Sequence, residues 1–198
     1  MQTYFTKKEL IKIGFVKVGK NNKISKKVSF INIINGILGS NVRIDDYCVI
    51  KGRVQIGSFI HIANFCLISG SEKNVVVIKD RSGISNNVSL LTSSDHYLKS
   101  SIYCASGLSN EIQKHRNLNL VIGDVILNEG CLIGAYSLIL PNAVVGISTS
   151  IGAYSILYKK IDDFIYYSNR DILKVTKRKK DKIKILSVIE NFKKYFSN

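Results

Sequence analysis

VIGDVI, LNEGCL, IGAYSL, ILPNAV, VGISTS, IGAYSI: residues 121–156 divide into six consecutive hexads. The first position of each is aliphatic, at Val121, Leu127, Ile133, Ile139, Val145 and Ile151. The fifth is small or β-branched, at Val125, Cys131, Ser137, Ala143, Thr149 and Ser155. The second is repeatedly glycine, at Gly134, Gly146 and Gly152. A helix repeats every 3.6 residues and a simple strand every 2, so a period of six fits neither alone. It fits a short strand followed by a tight turn, with one large and one small side chain directed inward per hexad. The glycines are expected to serve turns that need positive φ.

The same period runs from Leu38 through LGSNVR, IDDYCV, IKGRVQ, IGSFIH and IANFCL, with first positions Leu38, Ile44, Ile50, Ile56 and Ile62. Shorter pieces recur at 18–29 and 78–89. Repeats of this kind stack neighbour on neighbour into a rigid solenoid. The pattern resembles the hexapeptide repeat of left-handed parallel β-helix acyltransferases. That resemblance implies three hexads per triangular coil, a left-handed winding contrary to the usual crossover preference, a homotrimer, and acetyl-CoA as acyl donor without a metal. The fold expected is an all-β solenoid, a left-handed parallel β-helix with an inserted catalytic loop and a C-terminal α-helix. The β-helix domain is assigned to 1–160, with the insertion at 95–120, and the C-terminal segment to 161–198.

Composition bounds the alternatives. A chain of 198 residues with 45% hydrophobic and 22% charged residues can bury a core and is not disordered. It has no apolar run long enough to span a bilayer and no signal-peptide pattern near its start, so a cytoplasmic location is expected. The net charge of +15 is uneven: residues 174–198 hold nine Lys and Arg against two acidic residues. Such a tail can attract a polyanion, although a solvated face is the plainer reading and nucleic acid is not favoured. Peripheral contact with a membrane surface is a further role for the run KVTKRKKDKIK. Residues 181–196 place Ile185, Val188, Ile189, Phe192, Tyr195 and Phe196 at helical spacing, which predicts an amphipathic helix. Cys48, Cys66 and Cys131 fall in the small inward slot and read as core residues.

The repeat is interrupted at 69–77 and, for longer, at 95–120. Loops that interrupt a regular scaffold are where function concentrates. GISNNVSLLTSSDHY (83–97) resembles the stretch leading into the catalytic loop of sugar O-acetyltransferases, which implies His96 as general base. A neutral imidazole can take the proton of a sugar hydroxyl as it attacks a thioester. Asp95 is adjacent, but neighbours on a strand point to opposite faces, so Glu111 is a second candidate for orienting the ring. Asn86 and Asn87 precede the loop and are candidates for sugar contacts or ordinary turn residues. His115 is an alternative catalytic or substrate-binding group, and His61 reads as structural or exposed. Gaps of 35 and 19 residues between the three histidines do not suit a zinc site, and Cys104 has no evident base.

The later hexads and the following YKK resemble the family's cofactor region. That resemblance implies contacts from Gly134, Ala135, Gly152 and Ala153, where small residues let pantetheine approach the backbone, and from Lys159, Lys160 and Arg170 or Lys174 to the cofactor's phosphates. The leading reading is an acetyl-CoA-dependent O-acetyltransferase of a sugar in surface polysaccharide or lipopolysaccharide synthesis, transferring directly. The alternative is an N-acetyltransferase of a nucleotide-linked amino sugar. A third reading, from another class, is a non-catalytic β-helix scaffold that binds polyanions.

Overall fold

The computed structural model describes residues 3–96 and 120–168, together with the backbone of 176–177. Within them the chain winds into a three-sided prism of about six coils. Each coil contributes one short strand to each of three parallel sheets. The first face begins at Phe15–Val18 and ends at Lys160–Ile161; the second runs from Lys23–Ile24 to Ile165–Tyr167; the third runs from Ser29–Ile31 to Ile156–Leu157. Where the repeat is unbroken, Leu127 pairs with Val145 and Ile133 with Ile151, so three hexads complete one coil, as the period requires.

The inward rows follow from this stacking. Ile44, Ile62, Ile84, Ile133 and Ile151 form one column on the second face, and none is more than 2% exposed. The fifth-position residues Cys48, Val54, Cys66, Val125 and Ala143 fill the space between columns. Val121 departs from the pattern. It is half-exposed and belongs to the stem of the long insertion, and the core resumes at Val125 and Leu127.

Glycine plays a different part from the one expected. The left-handed backbone conformation falls on the fourth hexad position, at Asn41, Tyr47, Phe59, Phe65, Arg81, Asn87, Gly130, Tyr136, Asn142, Ser148 and Tyr154. The second-position glycines are not in that region. A Cβ on Gly134 would overlap the backbone nitrogen of Ala153, and one on Gly146 would overlap the carbonyl of Asp162. These residues are glycine because the next coil lies against them. The edge between the second and third faces instead carries tyrosine and phenylalanine in a conformation that costs an ordinary residue about 1–2 kcal/mol. Those rings stack along the prism: Tyr47 on Phe65 at 5.3 Å and Tyr136 on Tyr154 at 5.0 Å between centroids.

A helix that the periodicity did not announce, α1 (Lys7–Ile13), closes the N-terminal end. Thr6 and Glu9 form a reciprocal capping box, Gly14 ends the helix at φ 125°, and Leu10 is buried on the first coil. The predicted C-terminal helix over 181–196 lies outside the described residues.

Two glycines separate the two demands. Gly134→Ala forces a methyl into backbone that cannot yield and should cost about 3 kcal/mol. Gly130→Asn, at φ 72° with Ser148 Oγ 3.2 Å from the added Cβ, should stay within about 1 kcal/mol of wild type. Chemical denaturation of both variants measures the difference.

Candidate functional site

Both interruptions of the repeat fall on the edge between the third and first faces. The longer one leaves the prism at Thr92 through Ser93–Asp95 and returns through Leu120–Ile122. The two segments pair antiparallel, with Ser93 opposite Ile122 and Asp95 opposite Leu120. The root of this ribbon is tied to the coil below: Thr92, itself buried, donates from both its backbone N–H and its hydroxyl to the Ser69 carbonyl, each at 3.0 Å. Gly123 N–H in turn donates to the Thr92 carbonyl at 3.1 Å.

Asp124 joins the two interruptions. Its Oδ1 accepts from Val75 N–H at 2.8 Å and from Asn74 Nδ2 at 3.3 Å, both at the end of the shorter break. Its carbonyl accepts from Asn142 N–H at 3.0 Å, and Asn142 Nδ2 donates to the Ile122 carbonyl at 3.3 Å. One carboxylate therefore fixes the returning strand against the coil below, and its own backbone fixes it to the coil above.

The ribbon leans over a cavity of about 540 Å³ lined by Ser94, Asp95, His96, Val121, Leu140, Pro141, Asn142 and Tyr158. The walls are mainly apolar, with a carboxylate and an imidazole at one side. That arrangement suits proton transfer in a partly water-excluded space. Asp95 and His96 line it together although they are adjacent in sequence: the strand ends at Asp95, and strand alternation no longer separates the two side chains. Nδ1 of His96 is buried and has no hydrogen-bond partner among the described residues.

The remaining expected site residues are dispersed. Glu111, His115 and Arg170 lie outside the described residues, as do Cys104 and Lys174. Asn86, Asn87, Gly134, Ala135, Gly152 and Ala153 all lie on the edge between the second and third faces, away from the cavity, whereas Lys159 and Lys160 follow the lining residue Tyr158 in the chain. Asn87 has φ 59°, the turn role allowed for it. A Cβ on Gly134 would meet the backbone of Ala153, and one on Gly152 the Tyr166 hydroxyl. His61 is half-exposed on the second face, its Nε2 2.7 Å from Asp45 Oδ2, while Arg43 Nε donates to Asp45 Oδ1 at 2.6 Å. Burial alone would raise the Asp45 carboxyl, but the hydrogen bonds from His61 and Arg43 hold it below the usual carboxylate range. Burial pushes the Cys131 thiol up to about 12, as befits a core residue.

Asp124, Asn142 and Val121 escaped the sequence reading. Asp124 and Val121 stand inside VIGDVI and Asn142 inside ILPN, where the regular pattern made them look like ordinary repeat positions. Among the described residues no group of three His, Cys, Asp or Glu is placed to hold a metal ion.

No family model matches the chain. It is 33% identical over 190 residues to the dTDP-4-amino-4,6-dideoxy-D-glucose acyltransferase of Escherichia coli, covering 94% of this chain and 95% of that protein. Among solved structures, AntD, an N-acyltransferase from Bacillus cereus in complex with dTDP and 3-hydroxybutyryl-CoA, superposes with a TM-score of 0.85 at 34% identity and full coverage of both chains. Further AntD structures carry substitutions of one serine or of an aspartate ten positions after it. One of these holds dTDP-4-amino-4,6-dideoxyglucose and coenzyme A, with a TM-score of 0.84, 33% identity and 99% and 100% coverage. A hexapeptide transferase family protein from Anaplasma phagocytophilum shares the fold alone, with a TM-score of 0.52 at 14% identity over 88% of this chain and 92% of that one.

Removing the Asp124 carboxylate should loosen the ribbon root. Asp124→Ala should lower kcat for acyl transfer about tenfold or more, since small misplacements of reacting groups are costly. Asp124→Asn keeps an Oδ1 acceptor and should recover most of that loss. Steady-state kinetics beside thermal melting of both variants checks the effect.

Proposed function

The chain belongs to the hexapeptide-repeat sugar acyltransferases, and from that premise we propose that it transfers a short acyl group from an acyl-coenzyme A to the amino group of a nucleotide-linked amino sugar of the 4-amino-4,6-dideoxyhexose type. The observation that carries this reading is the near end-to-end match to relatives named for that chemistry, joined to a carboxylate at the ribbon tip. Ser85 and Asp95 stand ten positions apart here, the same spacing as the serine and aspartate substituted in AntD. Amine transfer displaces the O-acetyltransferase reading, because the relatives' names describe N-acyl transfer or an amino-sugar acceptor. We take the donor as an acyl-CoA rather than acetyl-CoA alone, since AntD holds 3-hydroxybutyryl-CoA.

The step is direct. The acceptor nitrogen attacks the thioester carbonyl carbon, the C–N bond forms, and the carbonyl π electrons move to oxygen. Asp95 takes the proton from nitrogen; the carbonyl re-forms, the C–S bond breaks, and the proton returns to the departing sulfur. Val121, Leu140, Pro141 and Tyr158 exclude water and contact the acyl chain, and His96 lines the same cavity beside Asp95. Lys159 and Lys160, next in the chain after Tyr158, suit the cofactor's phosphates.

We also propose that the working form is a homotrimer. Ser85, Asn86, Ala135 and Ala153 lie on one edge of the prism, while Asp95 and Lys159 lie on the next. A second copy packed against the third face brings one edge to the other. That face carries Leu67, Leu138 and Ile156, and its border carries Tyr47, Phe65, Tyr136 and Tyr154, each more than half exposed. Contiguous apolar surface of this kind marks an interface.

Acyl transfer to dTDP-4-amino-4,6-dideoxyglucose, followed as thiol release from acetyl- and 3-hydroxybutyryl-CoA, tests the reading. Asp95→Asn should lose about a hundredfold or more in turnover, and His96→Ala distinctly less. The reverse order would restore histidine as the base, and release only with hydroxyl acceptors would overturn amine transfer. Sedimentation should give three copies per particle. Tyr136→Asn with Tyr154→Asn, both suited to the left-handed turn, should shift the protein toward monomer.

A further inference from the structure

The same edge that carries the ribbon holds a second cleft lower on the prism, of about 200 Å³. Ile31 and Ile34 give it an apolar surface, and Ile31 is 45% exposed. Gly52 and Gly70 leave its back wall free of side chains. At its rim, the side chains of Asn32, Lys51 and Glu72 make no hydrogen bond or ion pair among the described residues. An exposed apolar floor ringed by an unused amide, an ammonium and a carboxylate matches a heterocycle with attached phosphates. A flat ring covers the isoleucines, an amide pairs with an imide edge, and a lysine meets phosphate oxygen.

The position of the cleft strengthens the match. Lys51 pairs in register with Ser69, and Ser69 with Leu91, immediately before the ribbon root. Neighbouring rungs of a parallel sheet are about 4.8 Å apart, so the cleft lies roughly 10 Å below the root of the ribbon along the prism. The Asn74–Asp124 hydrogen bond lies between cleft and cavity on this edge. A sugar and a nucleoside joined by two phosphates bridge a separation of that order. The acyl donor would then approach from the later coils, where Tyr158 and Lys159 stand, and the acceptor from the earlier ones.

We infer that this cleft seats the nucleoside diphosphate half of the acceptor, with the base on Ile31 and Ile34, Asn32 reading its edge and Lys51 on the phosphates. The inference rests on the proposed nucleotide-linked acceptor. Gly70 is fixed by packing, since a Cβ there would overlap the Arg53 carbonyl. Asn32, at φ 46°, is open to glycine without backbone strain.

Titration calorimetry of the full chain with dTDP, and separately with coenzyme A, tests the assignment in wild type, Asn32→Gly and Lys51→Glu. The dTDP dissociation constant should rise about tenfold in each variant. KM for the nucleotide sugar should rise with it, while kcat and the affinity for coenzyme A stay near wild type. If both variants bind dTDP within about twofold of wild type, the cleft is not the nucleotide site. If wild type binds coenzyme A but not dTDP, the nucleotide-linked acceptor itself is wrong, and this inference falls with it.

Discussion

Every feature of this molecule depends on the inter-coil hydrogen-bond ladder. Parallel strands lie about 4.8 Å apart, so each coil must lay its residues directly over those of the coil below. Gly39 N–H meets the Ile56 carbonyl at 2.8 Å, Gly57 N–H meets Ile78 at 2.8 Å, and Gly134 N–H meets Ile151 at 2.8 Å. A narrow prism has room for two side chains per hexad. It is filled by repeating the same two sizes in the same order. The ladder also decides where glycine must stand. Just after Leu38, Ile133 and Val145 the next coil lies so close that a Cβ on Gly39, Gly134 or Gly146 would strike its backbone. The turn itself, two residues later, tolerates asparagine, arginine, serine and even stacked tyrosines.

A structure under that constraint can vary only at its edges. Faces are committed to the ladder, so an insertion must leave at a corner and return to the same corner. Both insertions use one edge, and they are bound to each other through Asp124. Proximity in space thus joins chain segments 50 residues apart, Asn74 and Asp124, into one support for the ribbon. The rigidity of the solenoid is then of direct use to the chemistry. Asp95 sits only three residues from a buried threonine that is fixed to the coil below.

The hexad period was legible because it is enforced at nearly every coil. The first positions Leu127 to Ile151 and the fifth positions Cys48, Cys66 and Cys131 stand in the core as their pattern indicates. The edges were less legible. Val121 fits the period, yet the ribbon removes it from the core. The glycines at 134 and 146 suggested positive-φ turns, whereas they are glycine because the next coil lies against them. Thr6 and Glu9 spelled a capping box, but seven residues are too few for a hydrophobic period to declare a helix. Asp124 could not be recognised, because its partners lie in another interruption that no local pattern connects to it. The carboxylate at 95 was visible beside His96, but strand alternation argued against the two sharing one site, and the strand's end at Asp95 lifts that objection.

Hydroxyl and amine acceptors ask different things of a base. A hydroxyl is barely nucleophilic until its proton is leaving, so its base must pull early in the reaction and needs an affinity near the working pH. A neutral amine attacks without such help. Once its nitrogen has bonded to the carbonyl carbon it carries positive charge, and its proton becomes strongly acidic. A carboxylate is then base enough, and its negative charge stabilises the cationic nitrogen that develops beside it. The same charge favours an ammonium over a hydroxyl when the acceptor first binds, although that ammonium must shed one proton before attack. On the proposed reading, a carboxylate at the end of a fixed ribbon, over an apolar cavity that strengthens its field, would select an amine twice, first in binding and again after the bond has formed.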